Sequence, residues 1–424
     1  MPSAPDLIIR NARIPGGRVV DISIHEGRVK HVGAGVGGAE RTIDAQGHLC
    51  LPGAIDMHVH MRGGARQSYK ETWATGTMSA VAGGVTTVVD QPNTIPPLTG
   101  REPFRERVAE ATSGSYCRFG INGAVTPDAD LAGLWEEGAL AFGETFAAPS
   151  SYGEAIGEDD LKICLEQLRG LDALVTIHCE DVRDGRDLNL AMHSELRSGT
   201  GEAAAVQKLC ALLSAGPRSH FCHLSSDASV RAACTSFEVM PHHLFLSQEL
   251  FAADDAHGKV NPPLRTEQER KALWSAWEKI PVIASDHAPH SDAEKSGLFE
   301  AAPAGLPGVE TMVPLLLRAV YAGRCSLASV LQKVVMRPAA ILRITPPAFT
   351  PGAPADFAIY PKEPEKISAE HLHSRAGWTP YEGMEGVFPR IVTCNGMVIY
   401  EQGQVMFGAG EWARGQGYKR SHEK

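Results

Sequence analysis

Long apolar runs, a basic surplus and paired cysteines are all missing from this sequence, and each absence removes a class of protein. No stretch approaches the roughly 18–20 consecutive apolar residues that a membrane-spanning helix needs. The opening Met1-Pro2-Ser3-Ala4-Pro5-Asp6 has no basic start followed by an apolar core, so no secretory signal and no membrane partner are expected. The formal net charge is −10, opposite to the basic face that binds nucleic acid. The nine cysteines are scattered, with no C-x-x-C spacing, which argues against a zinc ribbon or a disulfide framework. Reduced thiols in a cytoplasmic protein are the expectation. An anionic substrate is not excluded, because a local pocket charge can oppose the global sign.

What is present suits a large domain with a smaller companion. Of the 424 residues, 43% are apolar and 21% charged, the balance of an ordinary globular chain. Residues 1–50 read as short strands between glycine turns: Asp6–Arg10, Val19–Ile24 and Arg28–Val32. The stretch 343–424 has the same texture, with Asp356–Tyr360, Val387–Thr393, Met397–Tyr400 and Gln404–Phe407. Two β-rich ends around a different middle predict one small β-domain built from both termini.

The middle, 51–342, alternates short apolar runs with longer segments of helical period. Eight runs stand out: Gly53–Met61, Thr86–Gln91, Arg118–Val125, Leu140–Ala147, Leu174–Cys179, His220–Leu224, Phe237–Phe245 and Val282–Ala288. Helices are expected over Tyr69–Gly83, Leu161–Leu168, Ala203–Leu213 and Thr266–Trp277. Eight strand-then-helix units predict an α/β fold, a (β/α)8 barrel, whose chemistry collects where the strands end.

Polar residues concentrate at those ends. His58 and His60 stand two apart on the first strand, so both imidazoles face one side. His178, His223 and Asp286 end strands five, six and eight, and Glu144 ends strand four. Buried imidazoles are costly without partners. Neutral imidazole with carboxylate is the donor set of zinc or a similar divalent ion, which acidifies bound water and polarises a carbonyl. A carboxylate beside that water can move its proton to a departing nitrogen.

At this point the residues resemble a known family. Gly53-Ala-Ile-Asp-Met-His-Val-His-Met-Arg62 is similar to the first-strand signature of dihydroorotases and the wider cyclic amidohydrolases, hydantoinases and allantoinases among them. Ala82-Gly-Gly-Val-Thr-Thr87, Gln91-Pro-Asn-Thr94, Ile177-His-Cys-Glu-Asp181, His223-Leu-Ser-Ser226, Val260-Asn-Pro-Pro-Leu-Arg265, Ser285-Asp-His-Ala-Pro-His290 and Gly305-Leu-Pro-Gly308 extend the likeness over nearly the whole chain. The resemblance implies a distorted TIM barrel flanked by a β-sandwich. It places His58, His60 and Asp286 on a first metal, His178 and His223 on a second, and makes Asp286 the proton shuttle. Many relatives bridge two metals with a carboxylated lysine ending strand four. Here Glu144 stands near that point, and no lysine occurs in Leu140–Ser150. Glu144 is expected as a ligand; one zinc or two, or another first-row ion, stays open.

The same resemblance implies that Arg62, Asn93 and His290 hold a substrate carboxylate, while Asn261 and the backbone at Gly305 and Gly308 meet the ring amide. The expected substrate is a carboxylated cyclic ureide, and the expected reaction is the reversible conversion of dihydroorotate to N-carbamoyl-L-aspartate. The loop after Arg62 lacks the Glu-Pro-Gly that dihydroorotases often show. Two other readings stand beside this one: a hydantoinase, allantoinase or imidase, and a non-catalytic dihydroorotase-like subunit supporting a partner enzyme. A homo-oligomer (dimer or tetramer) is expected, with a carbamoyltransferase as a further candidate partner. Of the remaining histidines, His242 and His243 read either as one pocket-facing and one structural residue or as satisfied core histidines, and His371 and His373 are expected on the surface.

Overall fold

The computed structural model describes residues 5–146, 155–214, 216–406, 408 and 410–419; Ala147 and Phe407, at the ends of two expected strands, lie outside them. Both chain ends contribute to one nine-stranded sheet. Its N-terminal members are β1 (Leu7–Arg13), β2 (Val19–His25), β3 (Arg28–Gly33), β4 (Arg41–Asp44) and β5 (Leu49–Pro52).

The middle of the chain supplies eight parallel strands. They are β6 (Ala54–Val59), β7 (Val85–Asp90), β8 (Arg118–Ile121), β9 (Phe142–Phe146), β10 (Leu174–His178), β11 (Arg218–Phe221), β12 (Ser236–Val239) and β13 (Val282–Ile283). The C-terminal part adds β14 (Phe357–Tyr360), a small ribbon of β15 (Glu365–Lys366) and β16 (Glu385–Gly386), then β17 (Ile391–Cys394), β18 (Met397–Glu401) and β19 (Gln404–Val405). The outer sheet runs β19-β18-β17-β14-β5-β1-β2-β3, with β4 on β1. Leu7, Ile9, Ile22 and Ile24 from one end of the chain pack with Phe357, Ile359 and Val398 from the other in a single apolar cluster.

The eight parallel strands form two ladders, β6-β7-β8 and β9-β10-β11-β12-β13. Single bridges close the ring, Gly123 to Phe142 on one side and Val59 to His287 on the other. Such thin seams make this a distorted barrel. Strands β6, β7 and β10 are buried at every position, as expected when helices cover the outside. The helices begin on local signals. Thr72 and Thr75 close a capping box at Trp73–Ala82, and Thr266 and Glu269 another at Glu267–Ser275. Three carboxylates, Glu158, Asp159 and Asp160, open Glu158–Gly170, where they oppose the helix dipole. Gly84, at φ 86, sits where a Cβ would strike the Tyr360 hydroxyl, so the pair after Trp73–Ala82 permits close helix–sheet packing.

Two expectations are corrected. The run Phe237–Phe245 is not one strand: β12 ends at Val239, and Pro241 starts a short helix, Pro241–Phe245, because its fixed φ and missing N–H suit a first helical position. Cys210 and Cys234 are joined in a disulfide, although 24 positions separate them. The fold brings the helix Gly199–Leu213 beside the end of Asp227–Ala232, a proximity with no signature in cysteine spacing. The other seven cysteines are free thiols.

Candidate metal and substrate site

The barrel mouth gathers most of the residues singled out in the sequence. His58 lies on β6 and His60 just beyond it; His178 ends β10, Glu144 lies on β9, and His223 and Asp286 follow β11 and β13. All six are 7% exposed or less. Three backbones here are left-handed without being glycine: Arg62 (φ 49), His223 (φ 36) and Asp286 (φ 46). Such conformations cost about 1–3 kcal/mol each and persist only where surrounding structure imposes them. One constraint on Arg62 is visible. Buried Arg107 donates to the Arg62 carbonyl at 2.7 Å and pairs with Asp90 at 2.8 Å, while Asp90 accepts the Met61 N–H at 2.8 Å.

Glu144 sits between two pairs of histidines. Its Oε1 is 2.9 Å from His178 Nδ1 and 2.6 Å from His223 Nε2. Its Oε2 turns the other way, 3.7 Å from His58 Nε2 and 4.0 Å from His60 Nε2. Asp286 Oδ1 closes the far side, 3.1 Å from His60 Nε2 and 3.5 Å from His58 Nε2. Gly143 makes this delivery possible: at φ 115, a Cβ there would overlap the Thr176 carbonyl.

The donor set fits a metal on two observations. His58 Nε2 and His223 Nδ1 are buried with no hydrogen-bond partner. His58, His60 and Asp286 bring one ligand atom each within 4.8 Å of one another, and so do His58, Glu144 and His223. Nitrogen and carboxylate oxygen this close in a dry pocket require a shared proton or a cation.

Outside this cluster, acceptors fix the imidazoles. His58 Nδ1 donates to Glu238 at 2.6 Å, His60 Nδ1 to the Asn93 Oδ1 at 2.9 Å, and His178 Nε2 to Glu180 at 2.7 Å, with Arg197 bonded to the same Glu180 oxygen. Each bond leaves the other ring nitrogen for the centre, the usual way a histidine ligand is oriented. Burial works against the charge on Glu144, but hydrogen bonds from His178 and His223, with His58 close by, hold its carboxyl far below the usual range. Burial likewise opposes ionisation of Asp286, yet His60 and His58 bring it down to about 2. His178 is raised to about 9, because Glu144 and Glu180 outweigh its burial.

Sequence reasoning assigned no role to Glu238, Glu180, Arg197 or Arg107. For Glu238 a signal existed: a lone carboxylate between Phe237 and Val239 in a short apolar strand.

A cavity opens directly onto this cluster, lined by His60, Arg62, Asn93, Glu144, His178, Asn261, Asp286 and Gly305, with Phe146, Val260, Ala288 and Ala304. His290 stands behind it, with Nε2 3.4 Å from Arg62 Nη2. Asn93 Nδ2 and Asn261 Oδ1 are buried without hydrogen-bond partners. Gly308 differs from expectation: it does not line the cavity, and its N–H donates to His287 Nδ1 at 3.1 Å, because the chain there turns back toward β13. Neither His242 nor His243 lines it either, though both are buried; His243 Nε2 donates to the Pro262 carbonyl at 3.0 Å. His371 is exposed, but His373 is half-buried, bonded at 2.8 Å to the buried Glu310.

A parallel barrel with histidines and carboxylates at the strand ends defines a class of hydrolase, and comparison with known proteins agrees. The chain belongs to the amidohydrolase family, whose model matches residues 49–375. Among curated relatives, the dihydroorotase of Methanosarcina acetivorans is 39% identical over 99% of this chain and 97% of its own length. That of Halobacterium salinarum is 38% identical over 93% and 96%. Among solved structures, the L-hydantoinase (dihydropyrimidinase) from Arthrobacter aurescens superposes with a TM-score of 0.89 at 24% identity, covering 97% of this chain and all of that one, a likeness of fold. A D-hydantoinase gives 0.85 at 25% identity, covering 98% and 100%. No helix among the described residues is long and apolar enough to cross a membrane.

Proposed function

We propose that this protein is a dihydroorotase, opening the ring of dihydroorotate to N-carbamoyl-L-aspartate and closing it again. The observation that carries this reading is the juxtaposition of Arg62, Asn93 and His290 with the histidine–carboxylate cluster in and behind one cavity wall. A guanidinium fork and an unpartnered amide N–H suit a carboxylate attached to the ring undergoing hydrolysis. The curated relatives of that name support the same choice.

In this reading His58, His60 and Asp286 would hold one divalent ion, His178 and His223 would hold a second, and Glu144 would be a further ligand. The ions, zinc by preference for this donor set, supply an acidified water and a polarised ring carbonyl. Asp286, ionised because its histidine neighbours stabilise the charge, takes the proton from the attacking water and returns it to the nitrogen that leaves. Glu238, Asn93 and Glu180 keep three imidazoles turned to the centre. Arg62, Asn93 and His290 fix the carboxylate, Asn261 meets the ring amide with Gly305 beside it, and Phe146 and Val260 exclude water. A division near residues 51 and 342, a cytoplasmic setting and a homo-oligomer belong to the same proposal.

The test is side-by-side turnover of dihydroorotate, hydantoin and allantoin, with zinc measured in the purified protein. Dihydroorotate is the expected substrate, and Arg62→Met is expected to raise its KM about tenfold or more while sparing uncarboxylated rings. Turnover of hydantoin or allantoin alone would move the assignment within the family. Absence of bound zinc, with no rescue on adding it, would favour a non-catalytic subunit.

A further inference from the structure

We propose that Lys295 is a positioning residue for the substrate pocket: its buried ammonium ties together the backbones of two wall segments, 259–261 and 303–305, and so holds Asn261 and Gly305 in place for the ring amide. This deepens the carboxylated-ring reading above and rests on it for the substrate.

Lys295 ends the short helix Asp292–Lys295, which a capping box of Ser291 and Glu294 starts directly after His290. The residue is 1% exposed. Its Nζ lies 2.9 Å from the Lys259 carbonyl, 3.0 Å from the Pro303 carbonyl and 3.2 Å from the Gly305 carbonyl. An ammonium has three N–H donors and a carbonyl only accepts, so these contacts use the group completely. Burial and the nearby Lys259 ammonium lower its pKa to about 7, against the pull of Asp255 and Glu294. Below that value every one of the three carbonyls has a donor.

A buried cation is a costly way to fill space, since an apolar side chain of like length loses no hydration of a charge. What the charge provides is one point bonded to two separate stretches of backbone. Both stretches face the cavity, Val260 and Asn261 from one, Ala304 and Gly305 from the other. The Lys259 carbonyl also accepts the Gly305 N–H at 3.1 Å, so the ammonium and the two stretches form a closed ring of bonds.

The stretch 303–305 depends on this hold. Pro303 has no N–H to give. Gly305, at φ 141, passes so near β13's extension that a Cβ would lie 2.5 Å from the Ala288 carbonyl, so no side chain of its own can anchor it. The next tie comes only at Leu306, whose carbonyl accepts the Ala288 N–H at 2.9 Å. Between the two, the Ala304 carbonyl accepts from His290 Nε2 at 3.1 Å, so the same stretch also reaches the His290 ring. Without the ammonium, the Pro303 and Gly305 carbonyls lose this donor and the stretch moves outward to find water. Asn261, whose Oδ1 is buried without a hydrogen-bond partner, then loses its fixed distance from Gly305. Lys295 thus acts on ring binding through the backbone, without touching the ring.

The experiment uses the full-length protein at pH 6, where Lys295 carries its proton, and follows backbone amide exchange by mass spectrometry. In K295M, exchange is expected to be about tenfold or more faster than in wild type in peptides covering 255–264 and 300–308, while peptides from β6 and β7 keep wild-type protection. K295Q, which keeps two N–H donors on a shorter arm, is expected to fall between the two. Circular dichroism melts establish which variants are folded. In turnover, K295M is expected to raise KM for dihydroorotate about tenfold while kcat stays within about threefold. Ile9→Ala, which weakens the outer sheet, is expected to leave both KM and the exchange of the two wall segments unchanged. Wild-type exchange at those segments in a folded variant would overturn the proposal, as would an unchanged KM. An equal gain of exchange in β6 and β7, or failure of both variants to fold, would also overturn it, because the role would then be general stability. If wild-type protein leaves dihydroorotate intact, the functional reading falls, while the exchange pattern still decides whether Lys295 holds the two walls together.

Discussion

At the barrel mouth, His58, His178, His223, Glu144, Asp286 and Glu238 are each at most 7% exposed; in the flanking sheet, the same burial is reached by Leu7, Ile9, Ile22, Ile24, Phe357 and Ile359. The two regions are equally dry and opposite in kind. In the sheet each side chain contributes area, roughly 25 cal/mol per Å² removed from water, and no single contact is indispensable. At the mouth each group is tolerated because a particular partner faces it, and deleting one partner strands another charge at a cost of about 3–5 kcal/mol. Apolar burial therefore degrades by degrees, whereas ionic burial fails group by group. Function is concentrated in the second region because chemistry needs groups whose charge the protein has fixed in advance.

That contrast can be broken most sharply at Asp286. Asp286→Ala is expected to lower kcat about a thousandfold or more, with a circular dichroism spectrum like that of wild type. Wild-type kcat in this variant would remove Asp286 from proton transfer. Next comes Ile9→Ala in the sheet, expected to destabilise by about 2–5 kcal/mol in urea melts while leaving kcat unchanged at temperatures where the protein is folded. Loss of kcat in step with stability would mean that the sheet and the mouth are not separable.

The smallest expected effect concerns a pair intermediate between the two regions. The hydrogen bond to Glu310 holds His373 above the usual imidazole range, and burial holds Glu310 above the usual carboxyl range. A raised folded pKa means that the folded state binds the proton more tightly. The His373 contribution is then complete below about pH 6.5 and disappears as pH rises through its folded value; that of Glu310 is complete below about pH 4.3 and fades above it. Both make Tm fall with rising pH, and the double variant Glu310→Gln, His373→Gln is expected to flatten that slope by about 1 °C between pH 5 and 8.5. An unchanged slope would show that the pair is not linked to folding.

Legibility followed locality. The strand ending in His58 and His60 was readable because the side-chain period of two and the apolar run act within a few residues. The helices at Trp73 and Glu267 were readable within a few residues because their capping boxes are local. The run from Phe237 misled because apolar content does not distinguish strand from buried helix; Pro241 was the punctuation that mattered. Gly308 was expected at the ring amide from the resemblance alone, but its backbone N–H meets His287 instead. The disulfide was invisible, since two cysteines 24 apart meet only after two helices pack.

Local pattern alone carried the chemical inventory: which strands end in imidazole or carboxylate, that β6 points two histidines to one side, and that a glutamate stands on the fourth barrel strand. The tertiary structure alone decided which second nitrogen each ring offers. His58 is set by Glu238, 180 positions away, and His60 by Asn93, 33 positions away. The reason is physical. A ring's tautomer depends on groups within about 3 Å in space, and closing a barrel brings together residues that no local periodicity relates.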